Sequence, residues 1–221
     1  FIKRRTKNEP IAYITGYKEF WKSSFKVDKN VLIPRPDTET IIEQVLKELD
    51  NYSSKKILDI GTGSGCILIS ILIERKKCFG VGIDISKKAV KLAKYNAKIQ
   101  HIYNRIKFFN SNIDNFYLGK YDLIISNPPY IKHHKINDLE KDIKNHEPMV
   151  ALDGGVDGFD KIRLIIKKSS TLIKKRGKLF LELGSNQTKE TLKILNLNGF
   201  YKTKVIKDLA SKNRCIISTK I

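Results

Sequence analysis

The 221-residue chain is short of acid. It carries 23 Asp and Glu against 43 Lys and Arg, a formal net charge of +20. Such a balance raises the expectation of an acidic partner such as nucleic acid. The lysines are spread along the chain rather than gathered in one block, the pattern of a solvated surface, so a nucleic-acid partner is not required. Cysteine is scarce as well. Cys66, Cys78 and Cys215 are scattered and odd in number. That excludes a disulfide framework and fits a reducing cytoplasm. The four histidines, His101, His133, His134 and His146, show no ligand spacing, so no catalytic metal is expected. No apolar run reaches the roughly 18 residues of a membrane span. Arg4-Arg5 has no apolar stretch behind it and makes no export signal. A chain 41% hydrophobic and 30% charged is not a disordered one.

What is present is alternation. Apolar runs at 56–60, 79–84, 106–109, 121–126, 179–183, 201–207 and 215–219 read as strands. Helical patterns intervene at 66–73, 86–99, 162–173 and 188–197, with Ser86 a suitable N-cap and Asn198-Gly199 a stop. The helix over 162–173 is expected to end near Gly177. Strands alternating with helices predict a doubly wound α/β domain over 51–221. Its seven-stranded sheet should be mostly parallel and close with an antiparallel C-terminal strand. Residues 1–50 read differently, as an appendage. Phe20-Trp21 and Phe25-Lys26-Val27 suggest a short hairpin. A helix then carries Ile41, Ile42, Val45, Leu46 and Leu49 on one face, with Asp37 placed to cap it.

Three features gather at strand ends. "DIGTGSG", residues 59–65, joins the first main strand to its helix, with Gly61, Gly63 and Gly65 at alternate positions. Missing side chains permit a tight turn and close ligand approach. The spacing is neither that of dinucleotide sites nor of a phosphate-binding P-loop. Asp84 ends the second strand, where an acid can bind ribose hydroxyls. "SNPPY", residues 126–130, ends the fourth. Two prolines cannot continue a sheet ladder, since neither has an N–H to donate.

Together these resemble a class I S-adenosylmethionine-dependent methyltransferase, a Rossmann-like fold. The flanks narrow the resemblance. "EPIAYITGYKEFW" (9–21), "LIPRPDTE" (32–39), "ILDIGTGSG" (57–65), "SNPPYI" (126–131) and "HEPMVALDGGVDGFD" (146–160) are similar to the release-factor glutamine N5-methyltransferases. The likeness runs over nearly the whole chain. The Glu-Pro to Asp-Gly stretch after Asn-Pro-Pro-Tyr is its best discriminator from enzymes that methylate DNA. Read from its residues alone, that stretch is only a turn-rich loop. The family usually carries an N-terminal helical domain, and a chain opening on Phe1 reads as one that continues from such a domain.

The resemblance implies methyl transfer from S-adenosylmethionine, leaving S-adenosylhomocysteine, to the side-chain N5 of the Gly-Gly-Gln glutamine in a peptide-chain release factor. It assigns the cofactor to Gly61, Thr62, Gly63, Ser64, Gly65, Asp84, Asn112, Ile113 and Asn127. Asn127, Pro128, Pro129 and Tyr130 are the expected catalytic and substrate-binding residues. Arg35, Pro36 and Thr38 would close the site, with a structural ion pair the competing role for Arg35. Glu182, at a strand end, would be a support. The expected molecule is a cytoplasmic monomer. One departure stands out: Asn112 replaces the family's usual acid and so loses a charge-assisted bond. Methylation of an adenine or guanine nitrogen in nucleic acid, and a non-catalytic basic scaffold, are the competing readings.

Overall fold

The computed structural model describes residues 1–221. Two short helices, α1 (Ile2–Arg5) and α2 (Ile11–Thr15), lead into a hairpin of β1 (Tyr17–Phe20) and β2 (Ser23–Lys26) and then helix α3 (Glu39–Glu48). The main unit follows: β3 (Lys56–Ile60), α4 (Cys66–Glu74), β4 (Phe79–Asp84), α5 (Lys87–Ile99), β5 (Ile106–Asn110) and β6 (Tyr121–Ser126). After α6 (Lys141–His146) come α7 (Asp160–Leu172), β7 (Ile173–Glu182), α8 (Thr188–Leu197), β8 (Phe200–Lys207) and β9 (Asn213–Lys220).

The seven strands run in the order β5-β4-β3-β6-β7-β9-β8. Pairings from β5 to β7 are parallel, and β9 lies antiparallel between β7 and β8. This is the expected sheet. Its strands are apolar because helices cover both faces. Side chains alternate as the pleat requires: Ile57, Leu123, Ile125 and Phe180 join one core cluster, and Leu58, Ile124, Leu179 and Leu181 the other. The first cluster also holds Ile41, Ile42 and Val45 of α3, all fully buried. Each such side chain contributes roughly 1.5–3 kcal/mol by leaving water. Trp21 pins the hairpin to the same face. Its backbone N–H donates to Glu39 at 2.8 Å and its indole N–H to Glu74 at 3.0 Å.

Two local expectations need correcting. Asp37 does not cap α3. It pairs with Arg214 at 3.0 Å, and a guanidinium is a stronger partner than a backbone N–H. The helix over 162–173 does not reach Gly177. It stops at Leu172, and Gly177 lies inside a ten-residue β7. There Tyr121 pairs with Ile173 but Leu123 pairs with Lys178, so residues 174–177 form a bulge. Ser86 does cap α5, its Oγ accepting from the Ala89 N–H at 3.2 Å.

Candidate active site

Strand order reverses between β3 and β6. Chain following β3 goes to β4 and β5 on one side, while β6 begins the other. Strand ends diverge at such a point and leave a crevice at their carboxyl edge. Ser126 ties the two ends together, its hydroxyl donating to the Ile60 carbonyl at 2.7 Å. A cavity of about 280 Å3 opens there, lined among others by Gly61, Thr62, Gly63, Ser64, Asp84, Asn112, Ile113, Asn127, Pro128 and Pro129. Most of the expected site residues are therefore brought together. Gly65 and Tyr130 are not in the lining.

The glycine turn has a physical account. Gly61 and Gly63 have φ of +75° and +55°, and a Cβ added to either meets nothing within 4 Å. They turn the chain and leave open space toward the cavity. Gly65 serves packing instead: its Cβ would lie 2.9 Å from Ile69. Asp84 accepts from the Gly63 N–H at 2.9 Å and the Ser86 N–H at 2.8 Å. Burial raises its pKa, and those two bonds pull it back. A carboxylate has about four acceptor positions, so two remain for a ligand's hydroxyls. Beneath the turn, buried Asp59 accepts from Thr62 at 2.7 Å, and burial pushes its carboxyl up to about 7.

Asn112 departs from its expected use. Its side-chain carbonyl accepts from the Asp114 N–H at 3.2 Å and caps the turn Ile113–Asn115. The carbonyl is engaged locally, and Asp114, two residues on, lines the cavity. Asp114 was missed by sequence reasoning, although an acid stands plainly in "NSNID". Open space over the glycines, spare acceptors on Asp84 and a carboxylate near Ile113 fit a nucleoside ligand with hydroxyls and an amino group.

At the other end of the cavity stands Asn127. Its Nδ2 donates to Thr38 Oγ1 at 3.2 Å, so the side-chain carbonyl is left over. No protein donor engages the Pro128 carbonyl. Tyr130 turns inward. Its hydroxyl donates to Glu182 at 3.3 Å, and its ring packs against the core. Burial, then the Glu182 charge, raise its pKa.

Two further supports were not foreseen. The turn-rich loop after α6 pairs with the segment leaving Asn-Pro-Pro-Tyr. The Ile131 N–H donates to the Leu152 carbonyl at 3.1 Å, and the Gly154 N–H to the Ile131 carbonyl at 2.8 Å. A Cβ on Gly154 would come within 2.8 Å of the Tyr130 Cα, and one on Gly158 within 2.8 Å of the Tyr130 carbonyl. The glycines are there so that two backbones can touch. Gln187 fastens the same junction, its amide donating to the carbonyls of Tyr130 at 3.2 Å and Gly158 at 2.9 Å. Arg35 lines the cavity and also pairs with buried Glu147, so its two competing roles coincide. Glu147 accepts in addition from the Ile33 N–H at 3.3 Å, which joins the "LIPRPDTE" segment to the loop. All three thiols are buried and free. No cluster of three or more His, Cys, Asp or Glu is placed to hold a metal ion, and no helix is long and apolar enough to cross a membrane.

The sheet order, the glycine turn, the acid ending β4 and the Asn-Pro-Pro-Tyr turn at the reversal define a class I methyltransferase. The methyltransferase small domain family matches residues 37–147. The chain belongs to the release factor glutamine methyltransferases. The protein of that name from Caulobacter vibrioides is 35% identical over 221 residues, spanning 100% of this chain and 76% of the relative. Its counterpart in Thermodesulfovibrio yellowstonii is 40% identical over 221 residues, spanning 99% and 79%. Among solved structures, a methyltransferase from Pyrococcus furiosus shares the fold at TM-score 0.69 and 16% identity, over 100% of this chain and 99% of that one.

Proposed function

We propose that this chain transfers the methyl group of S-adenosylmethionine to the side-chain N5 of the glutamine in the Gly-Gly-Gln motif of a peptide-chain release factor. One observation carries the reading. Asn127 lines the same cavity as Gly61, Gly63 and Asp84, while Thr38 holds its NH2 from behind. Its carbonyl is thereby free for a ligand N–H. The names of the relatives support glutamine as the acceptor rather than a nucleic-acid base.

Gly61, Thr62, Gly63 and Ser64 would hold the methionine end of the cofactor, Asp84 its ribose, and Ile113 with Asn112 and Asp114 its adenine. When bound, the cofactor supplies an electrophilic methyl on a sulfonium sulfur. An amide nitrogen is a poor nucleophile, because its lone pair is delocalised into the carbonyl. The Asn127 carbonyl takes one N–H and the Pro128 carbonyl the other. Two fixed acceptors hold the nitrogen in line, which supplies much of the rate. They also favour the positive charge that develops on it. The prolines stiffen the turn that carries both acceptors. Tyr130 braces the turn from the interior. No strong base is required, since the methylated nitrogen is acidic and gives its proton to water.

In this reading residues 51–221 form the catalytic unit and 1–50 its cover, through Arg35, Pro36 and Thr38. Every group invoked comes from one chain, which suits a monomer, and three free buried thiols suit the cytoplasm. The test is labelled methyl transfer offered side by side to release factor, to a form with the loop glutamine changed, and to RNA and DNA. Label on the intact factor alone, mapped to that glutamine, is the expected result. Label on nucleic acid instead overturns the acceptor and leaves the cofactor site standing.

A further inference from the structure

Behind Asn127, on the side away from the cavity, a file of polar side chains runs into the interior. Asn127 Nδ2 donates to Thr38 Oγ1 at 3.2 Å. Thr38 is buried, so its own hydroxyl proton needs an acceptor. That acceptor is Glu182, whose carboxyl is hydrogen-bonded by Thr38. From the other side the Tyr130 hydroxyl donates to Glu182 Oε1 at 3.3 Å, and Arg214 donates to the Tyr130 oxygen at 3.4 Å. Every bond in the file points toward Glu182. That residue ends β7, is 2% exposed, and its Oε2 has no partner. A carboxylate so placed costs stability unless it has work to do.

An amide can present either of two groups to the cavity. Only its carbonyl accepts an N–H; an NH2 turned the same way repels one. Something must choose between the two. We propose that Glu182 is a positioning residue for methyl transfer: through the Thr38 hydroxyl it holds Asn127 with its carbonyl toward the cavity and its NH2 turned away. This rests on the reading that the Asn127 carbonyl receives the acceptor nitrogen. An ionised carboxylate only accepts, so Thr38 must donate to it, and the Thr38 lone pairs are left for Asn127 Nδ2. A protonated Glu182 can donate to Thr38 instead. The Thr38 proton is then released toward Asn127, where it stabilises the flipped amide. No covalent step is involved, and the proton stays on Glu182.

The groups around Glu182 fix where that switch lies. Burial pushes its carboxyl up to about 7; the Thr38 bond, Arg214 and the Tyr130 bond hold it down, and Asp37 raises it. Cys215, facing it from β9, is a buried thiol. The active, ionised form is therefore lost as pH falls through about 7.

The test uses the full chain with 15N-labelled asparagine. The Asn127 side-chain NH2 resonance, assigned by its loss in Asn127→Ala, is followed from about pH 5 to about pH 9. It should titrate with a midpoint near 7 in the parent and stay flat in Glu182→Gln. In parallel, kcat should fall on the acid side with the same midpoint, while S-adenosylmethionine affinity and KM for release factor hold steady. Glu182→Gln should abolish that limb and lower kcat about tenfold to a hundredfold at alkaline pH. Thr38→Ser should behave as the parent and Thr38→Val as Glu182→Gln, with the double variant no worse than either. Should Glu182→Gln fail to fold, the Thr38 pair decides alone. An acid limb that survives in Glu182→Gln overturns the proposal, as does equal damage from Thr38→Ser and Thr38→Val, or an Asn127 resonance indifferent to pH. If the resonance titrates but release factor takes no label, the positioning stands and the proposed acceptor falls.

Discussion

At the carboxyl ends of β3, β4 and β6 lies a cavity of about 280 Å3. At the opposite end of the strands, across β7, β8 and β9, lies a groove of about 690 Å3. The groove is larger and far more charged. Lys175, Arg176, Lys178, Lys202, Lys204 and Lys220 line it, with Glu48 the one acid among them. The cavity mixes apolar walls such as Val31, Leu32 and Ile67 with a few convergent polar groups. Their difference lies in restraint. Each polar side chain argued to act in the cavity is tied down: Asp84 by two backbone N–H groups, Asn127 by Thr38, Arg35 by Glu147. The groove cations end long stems in water, where an ion pair contributes about 0–1 kcal/mol. Volume and charge thus point one way and fixed geometry the other. Catalysis needs fixed geometry.

The sharpest way to break the comparison is at Asn127. Asn127→Ala removes a fixed acceptor aimed at the reacting nitrogen. It should lower kcat by about a thousandfold, some 4 kcal/mol of barrier. S-adenosylmethionine binding, measured by calorimetry, should change less than about threefold, or under 0.7 kcal/mol. A parallel loss of both would mean that Asn127 builds the cofactor site rather than the acceptor site.

A smaller effect is expected one layer behind. Gly154→Ala sets a Cβ within 2.8 Å of the Tyr130 Cα, backbone that cannot move away like a flexible side chain. Overpacking of this kind costs roughly 1–3 kcal/mol. The variant should unfold at lower denaturant with an unchanged m-value. Because the strain falls on the turn that carries Asn127, kcat should drop about tenfold as well. Lost stability with unaltered kcat would separate the glycine loop from the acceptors.

That loop marks where sequence reading ran out. β3, β4, β6 and α8 were legible, because apolar periodicity and turn residues are local. So was the cavity's cofactor half: Gly61, Gly63 and Asp84 sit at strand ends, and strand ends share one edge of the sheet. The supports were not legible. Thr38 meets Asn127 across 89 residues, and Gln187 reaches Tyr130 across 57. No spacing rule announces such pairs. Asp37 was misread because a cap is a local rule, and Arg214, remote in sequence, offered it more. Resemblance flagged the glycine loop, but only the packing of Gly154 and Gly158 on Tyr130 says why glycine is needed there.

The smallest expected effect falls in the groove and sharpens the contrast from its other side. Lys175, Arg176 and Lys202 carry no ion pair. Lys178 and Lys204 already share Glu48. Replacing the three unpaired cations with serine removes charge but breaks no described contact. Methyl transfer to release factor at physiological salt should then change less than about twofold, since exposed charges are screened over roughly 8 Å. Weak association with RNA should lose steepness against log salt, by about 0.7 per phosphate contact removed. The two readouts respond to different physics: the first to fixed acceptors in a small cavity, the second to summed charge on a solvated face. A tenfold fall in kcat/KM for release factor, recovered by lowering the salt, would put the groove on the substrate's approach path. Function would then span both ends of the sheet.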